Sequence, residues 1–266
     1  MKSFLFILLL LSICYTTQGQ EATPPRNTYF FVGMGFPIVN VRDQAHSPLL
    51  YRGMALSVRM GLERLSNNSV SRFSASLNFG YAAPKMASKK EKHLSRLNLM
   101  TTDIGYAYYR LIDKYNTEGW NHYAGGAITF TFDNRSYNLP SNNLFGYQMN
   151  TSINVGGFIH KKMNDKWAFN YEAYTPLLSY ALRPSYLGML PMKGANISPQ
   201  NMLANGKIVT VNKLFRFYNR FALDNQFKDY RARRLSYTWD FHANYVAPKP
   251  LHSILSGVGY ESLYKQ

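Results

Sequence analysis

From Gly53 to Glu63 apolar and polar positions alternate without a slip. Met54, Leu56, Val58, Met60 and Leu62 share one parity; Gly53, Ala55, Ser57, Arg59, Gly61 and Glu63 share the other. Successive side chains of a strand point to opposite faces, so this stretch predicts a strand with one apolar face and one polar or small face. The pattern returns along most of the chain and predicts ten strands: 29–39, 51–64, 70–82, 97–112, 120–132, 145–160, 167–182, 207–223, 233–246 and 254–264. The better examples run about ten residues, roughly what a tilted strand needs to cross a bilayer.

The two faces can be written down strand by strand. Phe30, Val32, Met34 and Phe36, the even positions from Met54 to Leu62, and Phe73, Ala75, Leu77, Phe79 and Tyr81 form an apolar side. So do Ile128, Phe130, Phe132, Tyr147, Met149, Ile153, Val155, Leu235, Tyr237, Trp239 and Phe241. The opposite side collects Arg59, Glu63, Arg72, Asp103, Glu172, Arg216, Arg220, Arg234, Asp240 and His242. A charge facing lipid at the bilayer midplane costs about 2 to 4 kcal/mol, so these ten residues are expected in a lumen, where they can cross-link its walls. Structural packing of a largely filled lumen is the plainer role for them; an ion pathway is the other.

The connections carry a second signal. With the N-terminus on the periplasmic side, the external connections are expected at 40–50, 83–96, 133–144, 183–206 and 247–253, and shorter periplasmic turns at 65–69, 113–119, 161–166 and 224–232. An even strand count returns both termini to one side. Two places strain the reading: Pro176 within the seventh strand, where a bulge would excuse the missing N–H, and 213–227, which could instead be helical. The expected fold is all-β, a single antiparallel transmembrane β-barrel of about ten strands, with eight or twelve as alternatives.

Residues 1–19 have the form of a cleaved signal peptide: Lys2, an apolar run from Phe4 to Ile13, then small residues at Thr17 and Gly19. Residues 20–266 would be the mature barrel. The only cysteine of the chain, Cys14, falls in the leader, which excludes a disulfide scaffold or thiolate metal site in the mature chain. Beyond the leader no apolar run reaches eighteen residues, so helical spans are excluded. With 21 Tyr, 17 Phe and only 17% charged residues, the chain resembles the Gram-negative outer-membrane β-barrel proteins, whose aromatics form girdles at both interfaces. The resemblance is one of class and covers nearly all of the mature chain. Such barrels often end on an aromatic residue, whereas this chain ends Tyr264-Lys265-Gln266. It implies a bacterial outer-membrane location.

The net charge of +16 would suggest nucleic acid in a cytoplasmic protein, but the leader removes that partner. Membrane lipid is the expected partner, including the phosphates of lipopolysaccharide. Lys85, Lys89, Lys90, Lys92, His93 and Arg96 cluster in one expected external connection, where they would meet such phosphates or simply keep the loop solvated.

Two constellations carry possible chemistry. His93-Leu94-Ser95 is similar to the His-x-Ser pair of the outer-membrane phospholipase A and lipid A deacylase barrels, in which an adjacent base activates the serine. Here it is followed by Arg96-Leu97, and the strand register turns residues 93 and 95 toward the lumen. Asp240-Phe241-His242 resembles the Asp-x-His pair of the omptin proteases, which are ten-stranded barrels, yet the neighbouring Asp-x-Asp that omptins require occurs nowhere in the chain. No cofactor or metal motif is present. The expected role is non-enzymatic, a narrow channel or a scaffold displaying loops, with a lipid hydrolase using His93 and Ser95 as the alternative.

Overall fold

The alternating segments form one antiparallel sheet that closes on itself. The strands, in a computed structural model, are β1 (Asn27–Asp43), β2 (Tyr51–Leu65), β3 (Ser69–Pro84), β4 (Leu97–Leu111), β5 (Trp120–Tyr137) and β6 (Phe145–Lys162). They continue with β7 (Trp167–Leu182), β8 (Lys207–Thr210), β9 (Leu214–Lys228), β10 (Arg231–Asn244) and β11 (Leu251–Lys265). The structure describes residues 27–44, 47, 49–66, 68–85, 96–112, 119–137, 145–183, 206–246 and 249–266. Neighbours pair in the order β6-β5-β4-β3-β2-β1-β11-β10-β9-β7, and β6 pairs again with β7, which closes a ten-stranded barrel. Each of these ten strands then has two partners, which is how a sheet satisfies its peptide groups in hydrocarbon; the short β8 pairs with β7 alone.

β8 is the upper piece of an interrupted strand, the eighth of the ten in chain order, whose lower piece is β9. It pairs with β7 through Leu178–Ala181, whereas β9 pairs with β7 through Trp167–Tyr174. Between them residues 211–213 make a turn closed by Lys213 N–H donating to Thr210 O at 3.0 Å. From Leu214 onward the stretch 213–227 is therefore strand, not helix: its alternation of Phe215, Phe217 and Phe221 with Arg216, Tyr218 and Arg220 has period two, and Leu214–Gln226 pair with β10.

Pro176 does sit at a bulge. Asn154 pairs with Pro176 and Ile153 with Leu178, so Leu177 is the extra residue. One added residue inverts the parity of the rest of the strand. Below it Asn170, Glu172 and Pro176 are buried; above it Ser179, Ala181 and Arg183 are. The bulge thus aims Arg183 into the lumen.

Both ends of the described chain lie at one rim, where Gln266 N–H donates to Thr28 O at 2.9 Å. The connections at that rim are 66–68, 112–119, 163–166 and 229–230; those at the far rim are 44–50, 85–96, 138–144, 183–206 and 245–250. The short turns are locally encoded. Asn164 Oδ1 accepts from the N–H groups of Lys166 and Trp167, both at 2.9 Å, an Asx turn, and Lys162 holds the exposed Asp165 carboxyl below its ordinary range by a direct hydrogen bond. Gly119 supplies the positive φ (80°) that ends the β4–β5 connection.

The outer surface is apolar along the whole wall. Met34 is 62% exposed, Met54 57%, Ile128 56% and Leu235 54%, and between them lie exposed Phe36, Met60, Phe73, Tyr106, Val155, Phe221 and Val258. Soluble monomers rarely expose a contiguous apolar patch beyond a few hundred Å². The environment that suits this surface is hydrocarbon.

Candidate functional site: the lumen

The lumen is layered. Near the rim that holds the termini, inward positions are apolar: Val70, Ala107, Tyr109, Tyr123, Ala127 and Phe158 form one buried cluster, and Phe31, Ala232 and Leu263 a second. Phe158 stacks on Tyr109 at 6.1 Å and meets Tyr123 edge-on at 5.8 Å. Toward the far rim Val39, Val41, Tyr51, Ala55, Ala82, Leu97, Leu99, Tyr137 and Leu251 form another apolar cluster, with Tyr51 and Tyr137 in edge contact at 5.6 Å.

Between these layers lies a network of buried ion pairs that crosses the barrel. Glu63 of β2 accepts from Arg72 of β3 at 2.8 Å and from both terminal nitrogens of Arg234 of β10 at 2.8 and 2.9 Å. Arg72 also reaches Glu172 of β7 on the opposite wall, and Tyr109 donates to the same carboxylate at 3.0 Å. Arg234 forks onto Asp224, Arg220 places one nitrogen 2.6 Å from both oxygens of Glu261, and Arg59 lies 3.6 Å from Glu261. Desolvating these charges is tolerable because Glu63, Arg72, Arg234 and Glu261 each meet more than one opposite charge, while Arg220 and Arg59 share Glu261.

One level up, Arg216 of β9 forks onto Asp240 of β10 at 2.6 and 3.0 Å, and also reaches Asp103 of β4 at 3.1 Å and Thr131 of β5 at 2.8 Å. His242 faces Gln148 at 3.4 Å, and Gln148 bonds Asn244 and Asp133. Within the far apolar layer Asp43 of β1 accepts from Arg135 of β5 at 2.5 Å and from Arg183 at 2.7 Å, all three buried, while Arg183 also donates to the carbonyls of Asn244 and Lys249. That triad ties three separate parts of the wall together.

Among the described residues the lumen holds small pockets of mixed polar and apolar lining. A cavity of about 100 Å³ lies beside Arg59, Asp103, Arg216 and Asp240, against a wall made thin by Gly33, Gly35, Gly257 and Gly259. A Cβ on Gly257 would come within 2.4 Å of Pro37 Cα, so this side of the lumen admits no larger residue there. Two further cavities hold about 40 and 30 Å³. Spaces of this size take a few waters.

All ten charged residues read from the alternation, from Arg59 to His242, lie on inward positions, and nine of them share direct ion pairs; His242 lies in the hydrogen-bond chain. The reading missed their partners Glu261 and Asp224, and it missed Asp43, Asp133, Arg135 and Arg183. Parity beside Val258 and Tyr260 would have found Glu261. Asp43, Asp133, Arg135 and Asp224 fall in expected connections because β1, β5 and β9 run further than their apolar patterns do, and Arg183 lies just past the end of β7. Lys85 and Arg96 are exposed at the far rim. Lys89, Lys90, Lys92, His93 and Ser95 lie outside the described residues. Asp240 and His242 are not a free acid–base pair, since both Asp240 oxygens are engaged by Arg216. Among the described residues no cluster of His, Cys, Asp and Glu could hold a metal ion.

No protein-family model matches the chain. No curated protein matches it in sequence. Solved structures do match in shape. The outer membrane protease OmpT from Escherichia coli has a TM-score of 0.53 at 6% identity, over 94% of this chain and 100% of that one. The β domain of the Bordetella autotransporter BrkA gives 0.44 at 10% identity, covering 91% of this chain and all of the other. The translocator domain of autotransporter NalP from Neisseria meningitidis gives 0.40 at 8% identity, covering 97% and 95%. With its closed ten-stranded sheet and outward apolar surface, the chain has the fold of the outer-membrane β-barrel proteins.

Proposed function

We propose that this protein is a bacterial outer-membrane barrel of non-enzymatic role, a scaffold that holds its longer connections beyond the bilayer while its lumen stays shut. The leader at residues 1–19 would deliver it through the inner membrane, and the far rim would face outward. The observation that carries the reading is the bracing of the lumen: Asp43–Arg183, Arg72–Glu172 and Arg216–Asp103 each span opposite walls, the first within the far apolar layer and the other two between it and the layer near the termini. A conducting pore needs a continuous wet path of weak sites, whereas these charges are satisfied by one another.

Planar-bilayer recording tests it. Purified protein should insert without steady channel openings, and the Asp43→Ala variant, if it retains the barrel, should show more frequent transient currents. A steady, ion-selective conductance of the unmodified protein would replace the scaffold by a channel.

A further inference from the structure

At the far rim the outer face of the wall carries one cation at or just beyond the end of each of β1–β4. Arg42, Arg52, Lys85 and Arg96 are all exposed, and among the described residues none of them has an acidic partner within ion-pair distance. The strand register arranges them in two staggered rows. In the lower row Asn40 pairs with Arg52 and Arg52 with Ala83, and Arg96 falls opposite Ala83, one step beyond the Ala82–Leu97 pair. In the upper row Lys85 N–H donates to Leu50 O at 3.0 Å, which sets Lys85 level with Leu50 and, across β1, with Arg42.

Ala83 thus separates Arg52 from Arg96 by two strand spacings, about 10 Å between backbones, a gap that two arginine side chains can close on one phosphate. The Arg96 guanidinium lies over the Tyr81 ring at 4.1 Å, a floor that holds it in place. Immediately below, Ile38, Met54, Tyr81 and Met100 belong to the exposed apolar belt. An anion bound here would therefore sit directly above acyl chains. Like charges on adjacent strands repel, so a counter-charge from outside the protein relieves the strip.

We infer that Arg52 and Arg96, backed by Arg42 and Lys85, form a binding site on the outside of the barrel for the phosphate of a phosphorylated glycolipid in the outer leaflet. The inference rests on the reading of the belt as membrane-embedded and of the far rim as external. A lipid is favoured over a free phosphate by the continuity of the site with the apolar belt.

The test is native mass spectrometry of the full chain in detergent, titrated with bis-phosphorylated lipid A as the probe. The unmodified protein should retain the lipid, and Arg52→Gln/Arg96→Gln should weaken retention by about tenfold or more, since each basic residue near a charged surface is worth about 1 kcal/mol. The double lysine variant Arg52→Lys/Arg96→Lys should fall between, because it keeps charge and loses the bidentate fork. Arg233→Gln, at the opposite rim, should bind as the unmodified protein does. Equal retention by the glutamine variant, equal binding of dephosphorylated lipid A, or full competition by inorganic phosphate would each overturn the proposal. An unboiled gel shift confirms that each variant is a barrel. A protein that stays dispersed without detergent would instead sink the membrane reading itself.

Discussion

The wall of this barrel is regular on one side and broken on the other. From β1 through β6 the ladders run without a register shift, whereas β7, β8 and β9 contain the bulge at Leu177 and the turn at 211–213. In the regular arc, parity alone sorts each side chain to lipid or lumen. In the broken arc the sorting changes partway up, and the change is what turns Ser179, Ala181 and Arg183 inward. Irregularity here is a means of aiming side chains. The cross-lumen pairs then join the two arcs: Glu63 and Arg72 from the regular side meet Arg234 and Glu172 from the other, and Asp43 meets Arg183.

Deleting Leu177 should have the largest effect. It removes the bulge and inverts the parity of 178–183, which takes Arg183 out of its buried pair with Asp43, a loss of about 3 to 5 kcal/mol, and in addition turns the bulky Leu178 and Tyr180 inward where Ser179 and Ala181 now pack. The heat-modifiable band of the folded barrel should disappear from unboiled gels. Leu177→Ala, which keeps the bulge and trims only an exposed side chain, should retain it; loss of the band in both variants would mean that the side chain, not the inserted residue, matters.

Asp43→Asn comes next. It removes the carboxylate shared by Arg135 and Arg183, and breaking a buried pair typically costs about 3 to 5 kcal/mol. Denaturant unfolding in detergent micelles, monitored by tryptophan fluorescence, should register a loss of that order. A change below about 1 kcal/mol would show that the triad does not join the arcs. The smallest effect is expected for Arg59→Gln. Arg59 borders the 100 Å³ cavity and lies 3.6 Å from Glu261, which Arg220 already neutralises, so water can solvate the gap. A loss of about 1 kcal/mol or less should be seen in the same unfolding assay; a loss as large as that of Asp43→Asn would assign Arg59 a central structural role.

Legibility in the sequence divides along the same line. The regular arc is readable because a half-lipid, half-lumen strand leaves a period-two signature, and Met54–Leu62 or Phe73–Tyr81 appear on the expected face. The strand ends are not, since Asp43, Asp133, Arg135 and Asp224 are polar and resemble loop residues until a partner across the lumen is known. Nor can the sequence say which residue near Pro176 is extra. The proline signals a ladder defect, and only the pairing of Ile153 with Leu178 and Asn154 with Pro176 identifies Leu177. The lumen network was legible as a set of charges and illegible as a set of pairs, because pairing depends on stagger between strands that lie far apart in sequence.

If the strands have one face against hydrocarbon and the other against a packed interior, adjacent positions must differ in what can reach them. Because the only cysteine of the chain is Cys14, single thiols can be introduced cleanly on β3 at Leu77, which is exposed, and at its neighbour Ser76, which lines the cavity. In reconstituted membranes the thiol at 77 should react with a bilayer-dissolved maleimide, and the thiol at 76 with neither that reagent nor a charged, membrane-impermeant one until the barrel is unfolded. Rapid labelling of position 76 by the charged reagent in the folded protein, or equal labelling of both positions from the lipid phase, would contradict the account.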